Sequence, residues 1–249
     1  MGASSRPVSR RADDTGRKNA DDASLPFDHQ ASQAVSSEQT LREQIVANGL
    51  KLTPSGLSQG TSGNLSIRFE HGFLITPSGM PYGEIAPEDI VFVEMDGHYD
   101  HVRRPSSEWR FHRDIYAARS DAHAIVHAHP PYSTALAMCR MDIPAAHYMI
   151  AVSGGDSIRC SDYDTYGTQA LSDAVVRALD GRLACLMANH GMIAIGATME
   201  QAMWRAIEVE TLARQYAIAL QIGKPVMLRD NEVTQVIEKF GNYGLMSKK

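Results

Sequence analysis

The run Ala122-His123-Ala124-Ile125-Val126-His127-Ala128-His129-Pro130 constrains this chain more than any other. Ala124 to Ala128 reads as a buried strand that stops at Pro130-Pro131. Side chains alternate faces along a strand, so His127 and His129 point the same way. Two imidazoles on one face at a strand end make two corners of a metal site. A catalytic zinc takes three protein ligands and keeps one position open. His190 is the third candidate, in Ala188-Asn189-His190-Gly191-Met192, after the apolar run Leu183 to Met187. An isolated H-x-H pair is more often two solvated histidines, so the reading depends on the rest of the chain.

The 249 residues suffice for a sizeable core. A net charge of −5 gives no electrostatic case for nucleic acid as a partner. Cys139, Cys160 and Cys185 are scattered and form no C-x-x-C pair, which fits reduced thiols rather than a disulfide framework. No apolar run approaches the roughly 20 residues that span a bilayer, and no secretory signal opens the chain. The expectation is a soluble cytoplasmic protein without a membrane partner.

Residues 1–35 are polar, and arginines alternate with aspartates. Such a segment cannot bury enough apolar area to offset its ordering entropy and reads as a disordered leader or an extension. The folded part, 36–249, begins at the capping-box pattern Ser36-Ser37-Glu38-Gln39, with Leu41, Ile45, Val46 and Leu50 on one helical face. Strands follow at Leu65–Phe69, Phe73–Thr76 and Ile90–Glu94, the last entering a hairpin turn at Asp96-Gly97. A helix carries Trp109, Phe111, Ile115 and Tyr116, with Ser106 or Ser107 as its cap. After the histidine strand come a helix over Pro131–Met138 and a Gly- and Asp-rich loop over Ile150–Thr168. Next are a helix over Leu171–Leu179 and two strands flanking Asn189-His190-Gly191. The longest helix runs from Met199 to Gln221, with Met203, Ile207, Leu212, Tyr216 and Leu220 on apolar faces, and a short helix holds Val233, Ile237 and Phe240. Short connections between the early strands imply a largely antiparallel sheet, and with no repeat and no second composition regime the chain reads as one α/β domain, expected as a three-layer α/β/α fold around a mostly antiparallel sheet.

Glu108 opens its helix, where the positive dipole end favours a carboxylate. Taken alone, that role is as good as a second one beside a metal, as fourth ligand or proton carrier. Three loops share hydroxyls, backbone N–H groups and little bulk: Thr61-Ser62-Gly63-Asn64, Thr76-Pro77-Ser78-Gly79 and Ser106-Ser107. Converging, they would hold a phosphate dianion without a lysine; singly, each reads as a turn or cap. No P-loop spacing is present, and no G-x-S-x-G elbow supports a serine hydrolase. His112, one helical turn after Glu108, reads as a packing histidine.

The ordered phrases GTSGNLS, ITPSGMPY, PSSEWRFH, IVHAHP, IPAAHYMIAVSGG and ANHGMIAIG resemble the class II aldolase/adducin family over about Leu41 to Leu245. By position, the resemblance implies that His127, His129 and His190 bind zinc, with cobalt or manganese as alternatives, and that Glu108 is the catalytic acid/base. It places Thr61, Asn64, Ser78, Gly79, Ser106 and Ser107 at the substrate phosphate. It also implies that Tyr148 reaches a neighbouring subunit's active site in a homotetramer, and Tyr243 matches a tail tyrosine. The implied reaction splits a ketose 1-phosphate, such as L-fuculose 1-phosphate, into dihydroxyacetone phosphate and an aldehyde, here lactaldehyde. Its negative charge is stabilised by a divalent cation rather than a lysine Schiff base. Family alternatives are 5-deoxyribulose or 5-methylthioribulose 1-phosphate as substrate, sugar-phosphate 4-epimerisation, and a non-enzymatic adducin-like module.

Overall fold

The central strand of the molecule is β4 (Ala124–Ala128), the histidine strand, buried along its whole length. The structure, a computed structural model, describes residues 37–241. The proposed boundary at residue 35 and Tyr243 lie outside the described residues. On one side β4 pairs with β1 (Asn64–Phe69), which continues to β2 (Gly72–Ile75) and the edge strand β3 (Val91–Glu94). On the other side it pairs with β8 (Gly191–Gly196), followed by β7 (Ala184–Met187), β6 (Ser157–Ser161) and β5 (Ile143–Pro144). The sheet order is thus β3-β2-β1-β4-β8-β7-β6-β5. Every pairing is antiparallel except β6 with β7.

The two-residue alternation of the strands divides the core into two layers. Leu65, Leu74, Val126, Leu186 and Ala194 face α1 (Glu38–Leu52), α3 (Pro131–Met138) and α5 (Met199–Ile222). Phe73, Ile75, Ile125, Cys185 and Ile193 face α2 (Trp109–Ala118) and α4 (Gln169–Ala178). The helix α6 (Asp230–Gly241) adds Val233 to the first layer. The expected three-layer α/β/α arrangement with a mostly antiparallel sheet is therefore present. No helix among the described residues is long and apolar enough to cross a membrane.

Several expectations need correction. Leu50 is 51% exposed; α1 instead buries Ile45, Asn48, Gly49 and Leu52. A side chain at Gly49 would meet the Tyr82 ring at 2.7 Å, so the glycine lets the helix pack closely there. Ser37 caps α1 by accepting a hydrogen bond from the Thr40 N–H. On α5 the buried stripe is Ala202, Ala206, Val209 and Ala213; Ile207 lies off that stripe and Leu220 beyond its end, and both are exposed. The Asp96-Gly97 turn forms, with Gly97 at φ 94, but no second strand follows. The next residues include Asp100, His101, Arg103, Arg104 and Pro105, which have no apolar alternation to place against a sheet edge. The stretch Ile150–Thr168 is not all loop, because it holds most of a 3-10 helix (Tyr148–Ser153) and all of β6. That strand has a single large apolar residue, Ile158, and so left little periodic signal.

Candidate metal centre

Three elements bring one carboxylate and three imidazoles together at the C-terminal end of β4. His127 stands on the strand face that looks toward α2, beside Phe111, with ring centroids 5.3 Å apart. Its Nδ1–H donates to the Met192 carbonyl at 3.0 Å across the β4–β8 ladder. That bond fixes the tautomer and turns the Nε2 lone pair inward. His129 follows on the same face. His190 sits in the turn between β7 and β8, where Asn189 takes a left-handed conformation with φ 53. Asparagine tolerates that conformation better than most residues. The turn is tied down by the Asn189 N–H, which donates to the Ala137 carbonyl at the end of α3.

Glu108 occupies the N-cap position of α2, with φ −102 and ψ 13, but its carboxylate caps nothing. The expected serine cap is absent: Ser106 Oγ accepts only from the Glu108 N–H, at 3.3 Å. The carboxylate turns instead to the histidines. Oε2 lies 3.2 Å from His127 Nε2 and Oε1 lies 3.1 Å from His190 Nε2. His129 Nε2 is 2.9 Å from His127 Nε2. One donor atom from each of Glu108, His127, His129 and His190 falls within 4.8 Å of the others.

These contacts test whether a cation fits. His127 has committed its proton to Met192, so its Nε2 offers a lone pair to a second imidazole and a carboxylate. Glu108 Oε1 is buried and has no hydrogen bond of its own. Converging lone pairs repel unless a positive centre sits among them. Three imidazoles and a carboxylate suit a divalent transition metal, and tetrahedral zinc sets its donors roughly 3.4 Å apart. Burial alone would raise the Glu108 carboxyl; positive charge beside it, on His127 and His190 or on a cation they hold, outweighs burial and lowers the group far below the usual carboxylate range. Burial, then the nearby His127 and His190, lower His129 to about 3, so it stays neutral and able to coordinate.

The other predicted residues are placed as follows. Asn64 is buried, and its side chain donates to Glu108 Oε2 at 2.9 Å and accepts from His112 Nε2. Those bonds use the carboxamide oxygen and one of its two N–H donors. Thr61, Ser78, Gly79 and Ser107 are exposed, and Ser106 is buried. Two of the hydroxyl loops are stitched together: Ser106 N–H donates to Thr76 O and Ser78 N–H to Arg104 O, each at 3.0 Å. The first loop joins them where the Leu65 N–H donates to Thr76 Oγ1 at 3.2 Å. Tyr148 is 52% exposed and does not line the cavity over the histidines within one chain. That cavity, of about 300 Å³, is bounded by Ser107, Glu108, His129, Asn189 and His190, and by Tyr163, Asp164 and Tyr166 of the loop before α4. The last three were missed from sequence. Two exposed tyrosines in a polar, glycine-bearing loop were the available signal.

Residues 43–217 match the family model described as the class II aldolase and adducin N-terminal domain. The 5-methylthioribulose-1-phosphate/5-deoxyribulose-1-phosphate aldolase of Rhodospirillum rubrum is 49% identical over 204 residues, covering 82% of this chain and 92% of that one. The L-fuculose phosphate aldolase of Escherichia coli K12 is 47% identical over 206 residues, covering 82% of this chain and 96% of that one. A solved L-fuculose 1-phosphate aldolase superposes with a TM-score of 0.79 at 41% identity, covering 81% of this chain and 96% of that one. With that match over most of the chain and a histidine–carboxylate cluster in place, this protein belongs to the class II aldolase and adducin family, as an aldehyde-lyase.

Proposed function

We propose that this chain cleaves a ketose 1-phosphate reversibly into dihydroxyacetone phosphate and an aldehyde, with L-fuculose 1-phosphate and lactaldehyde as the first pair. The observation that carries the reading is the convergence of three imidazoles and Glu108 within 4.8 Å, with Glu108, His129 and His190 lining an open cavity. His127, His129 and His190 would hold the cation, zinc by the donor set, with cobalt or manganese able to take the same ligands. When bound, it supplies Lewis-acid stabilisation of the negative charge that develops as C3–C4 breaks. Among the described residues no lysine lines the cavity, so a Schiff-base route finds no amine among them.

Glu108 faces the cavity, either as a fourth ligand or as the group that moves the proton at C3. Thr61, Asn64, Ser78, Gly79, Ser106 and Ser107 would anchor the phosphate and so fix the reacting carbons. Tyr148 of the partner subunit would take the C4 hydroxyl proton, in a cytoplasmic homotetramer with sites at subunit interfaces. This reading keeps residues 36–249 as one domain. The Rhodospirillum rubrum relative supports a second substrate pair, 5-deoxyribulose and 5-methylthioribulose 1-phosphates.

A coupled assay for dihydroxyacetone phosphate, run on L-fuculose, L-rhamnulose, 5-deoxyribulose and 5-methylthioribulose 1-phosphates, tests this directly. Release from at least one, lost on chelation and restored by zinc, is expected. Purified protein that binds no metal would favour an adducin-like module. Epimerised product without dihydroxyacetone phosphate would favour the epimerase.

A further inference from the structure

Glu108 is the last acceptor in a line of buried hydrogen bonds that the proposed reaction leaves unexplained. Asn64 Nδ2 donates to Glu108 Oε2 at 2.9 Å. Asn64 Oδ1 meets His112 Nε2, and His112 Nδ1 lies 2.7 Å from Ser66 Oγ. Ser66 Oγ lies 2.7 Å from the Tyr116 hydroxyl. All five residues are buried.

One end sets the direction of every link. A carboxylate only accepts, so the carboxamide must turn its NH2 toward Glu108 and its oxygen toward the imidazole. That oxygen needs a donor, so His112 carries its proton on Nε2. Nδ1 then accepts from the Ser66 hydroxyl, and Ser66 in turn accepts from Tyr116. Two periodicities bring the members into register: Glu108, His112 and Tyr116 recur every four residues on α2, and Asn64 and Ser66 every two on β1. An amide in the middle cannot readily pass a proton along, so the line transmits orientation.

We propose that His112, backed by Ser66 and Tyr116, is a positioning residue that locks the Asn64 carboxamide and through it the Glu108 carboxylate in the rotamer facing the histidines. The proposal rests on the reading of Glu108 as the group that moves the C3 proton. Without the His112 donor the Asn64 carboxamide loses its second anchor and can swing away from the carboxylate, freeing Glu108 to leave the reacting carbon while the cation site and the backbone of the phosphate loops stay intact.

The test compares His112→Leu with His112→Gln, whose amide NH2 can take the place of Nε2–H. Three quantities are measured on the full chain with zinc: bound metal, kcat and KM, and exchange of the dihydroxyacetone phosphate C3 proton with D2O by NMR. In His112→Leu, kcat and exchange should fall together by roughly tenfold or more, with KM and metal content near wild type. His112→Gln should recover most of both rates. Wild-type rates in His112→Leu, or a glutamine variant as slow as the leucine one, overturn the proposal. If His112→Leu does not fold, Ser66→Ala replaces it: a several-fold loss of kcat at unchanged KM supports the proposal, and a wild-type kcat overturns it. Wild-type protein that exchanges no proton overturns the reading of Glu108 itself, and the proposal with it. Exchange in the wild type that His112→Leu does not slow overturns the proposal alone.

Discussion

At the scale of single residues, each member of the cluster does a separable job. His190 hangs on a turn, outside the β4 ladder, so removing its ring leaves the strand pairing alone. His190→Ala should lose metal and activity together while the assembly persists, as read by metal analysis and sedimentation; an active, metal-replete variant would remove His190 from the ligand set. Glu108→Gln keeps the volume and a hydrogen-bond acceptor but loses the charge. It should retain metal and turn over at least about tenfold more slowly, since general acid–base groups contribute roughly 100- to 10,000-fold. Unchanged turnover would restrict Glu108 to a structural part. His127 and His129 were legible from sequence as a same-face pair because H-x-H on a strand has a fixed geometry, whereas the roles of His190 and Glu108 came with the family resemblance. The partners of Glu108 were not. His112 read as a packing histidine and Asn64 as a phosphate residue, because a contact between β1 and α2 at a separation of 48 residues leaves no local pattern.

At the scale of elements, the start of α3 shows how the histidine strand is held. Pro131 at the first helical position has no N–H to satisfy. The next two, of Tyr132 and Ser133, donate to the two oxygens of Glu210 on α5 at 2.9 and 2.8 Å, and the Ser133 hydroxyl adds a third bond at 2.8 Å. The carboxylate thus takes the place of a capping residue from a helix far along the chain and also complements the helix dipole. Glu210→Gln turns one acceptor into a donor facing backbone N–H groups. It should cost about 1–3 kcal/mol, seen as a lower urea midpoint at unchanged slope. No change would mean that water replaces the carboxylate there. Neither this clamp nor β6 was visible in the sequence. The clamp joins residues nearly 80 positions apart, and β6 is short and polar. By contrast, β4 and α3 were read with their observed bounds, because Pro130-Pro131 ends one and begins the other.

At the scale of the whole molecule, the three layers explain why His127 and Glu108 are buried while the cavity beside them is open. The α2 layer and the sheet enclose His127 and Glu108, whereas among the described residues the roof is the loop bearing Tyr163 and Tyr166. Tyr148, half-exposed and away from that roof within one chain, has no catalytic part to play unless a second subunit presents it. The proposed cyclic tetramer makes this testable, because each of its interfaces would pair one subunit's Glu108 with the next subunit's Tyr148. Glu108→Gln and Tyr148→Phe should each be nearly inactive as pure assemblies. Mixed in equal amounts, dissociated and reassembled at random, they should regain activity. A site is whole only when the Tyr148→Phe chain supplies Glu108 and the Glu108→Gln chain supplies Tyr148, which random mixing in a closed ring gives at about a quarter of sites. Activity near that fraction, rising from almost nothing and appearing only after subunit exchange, is the expected result. No recovery in verified mixed assemblies would place Tyr148 outside the reaction or within its own chain's site, and a monomer in sedimentation would remove the shared site altogether.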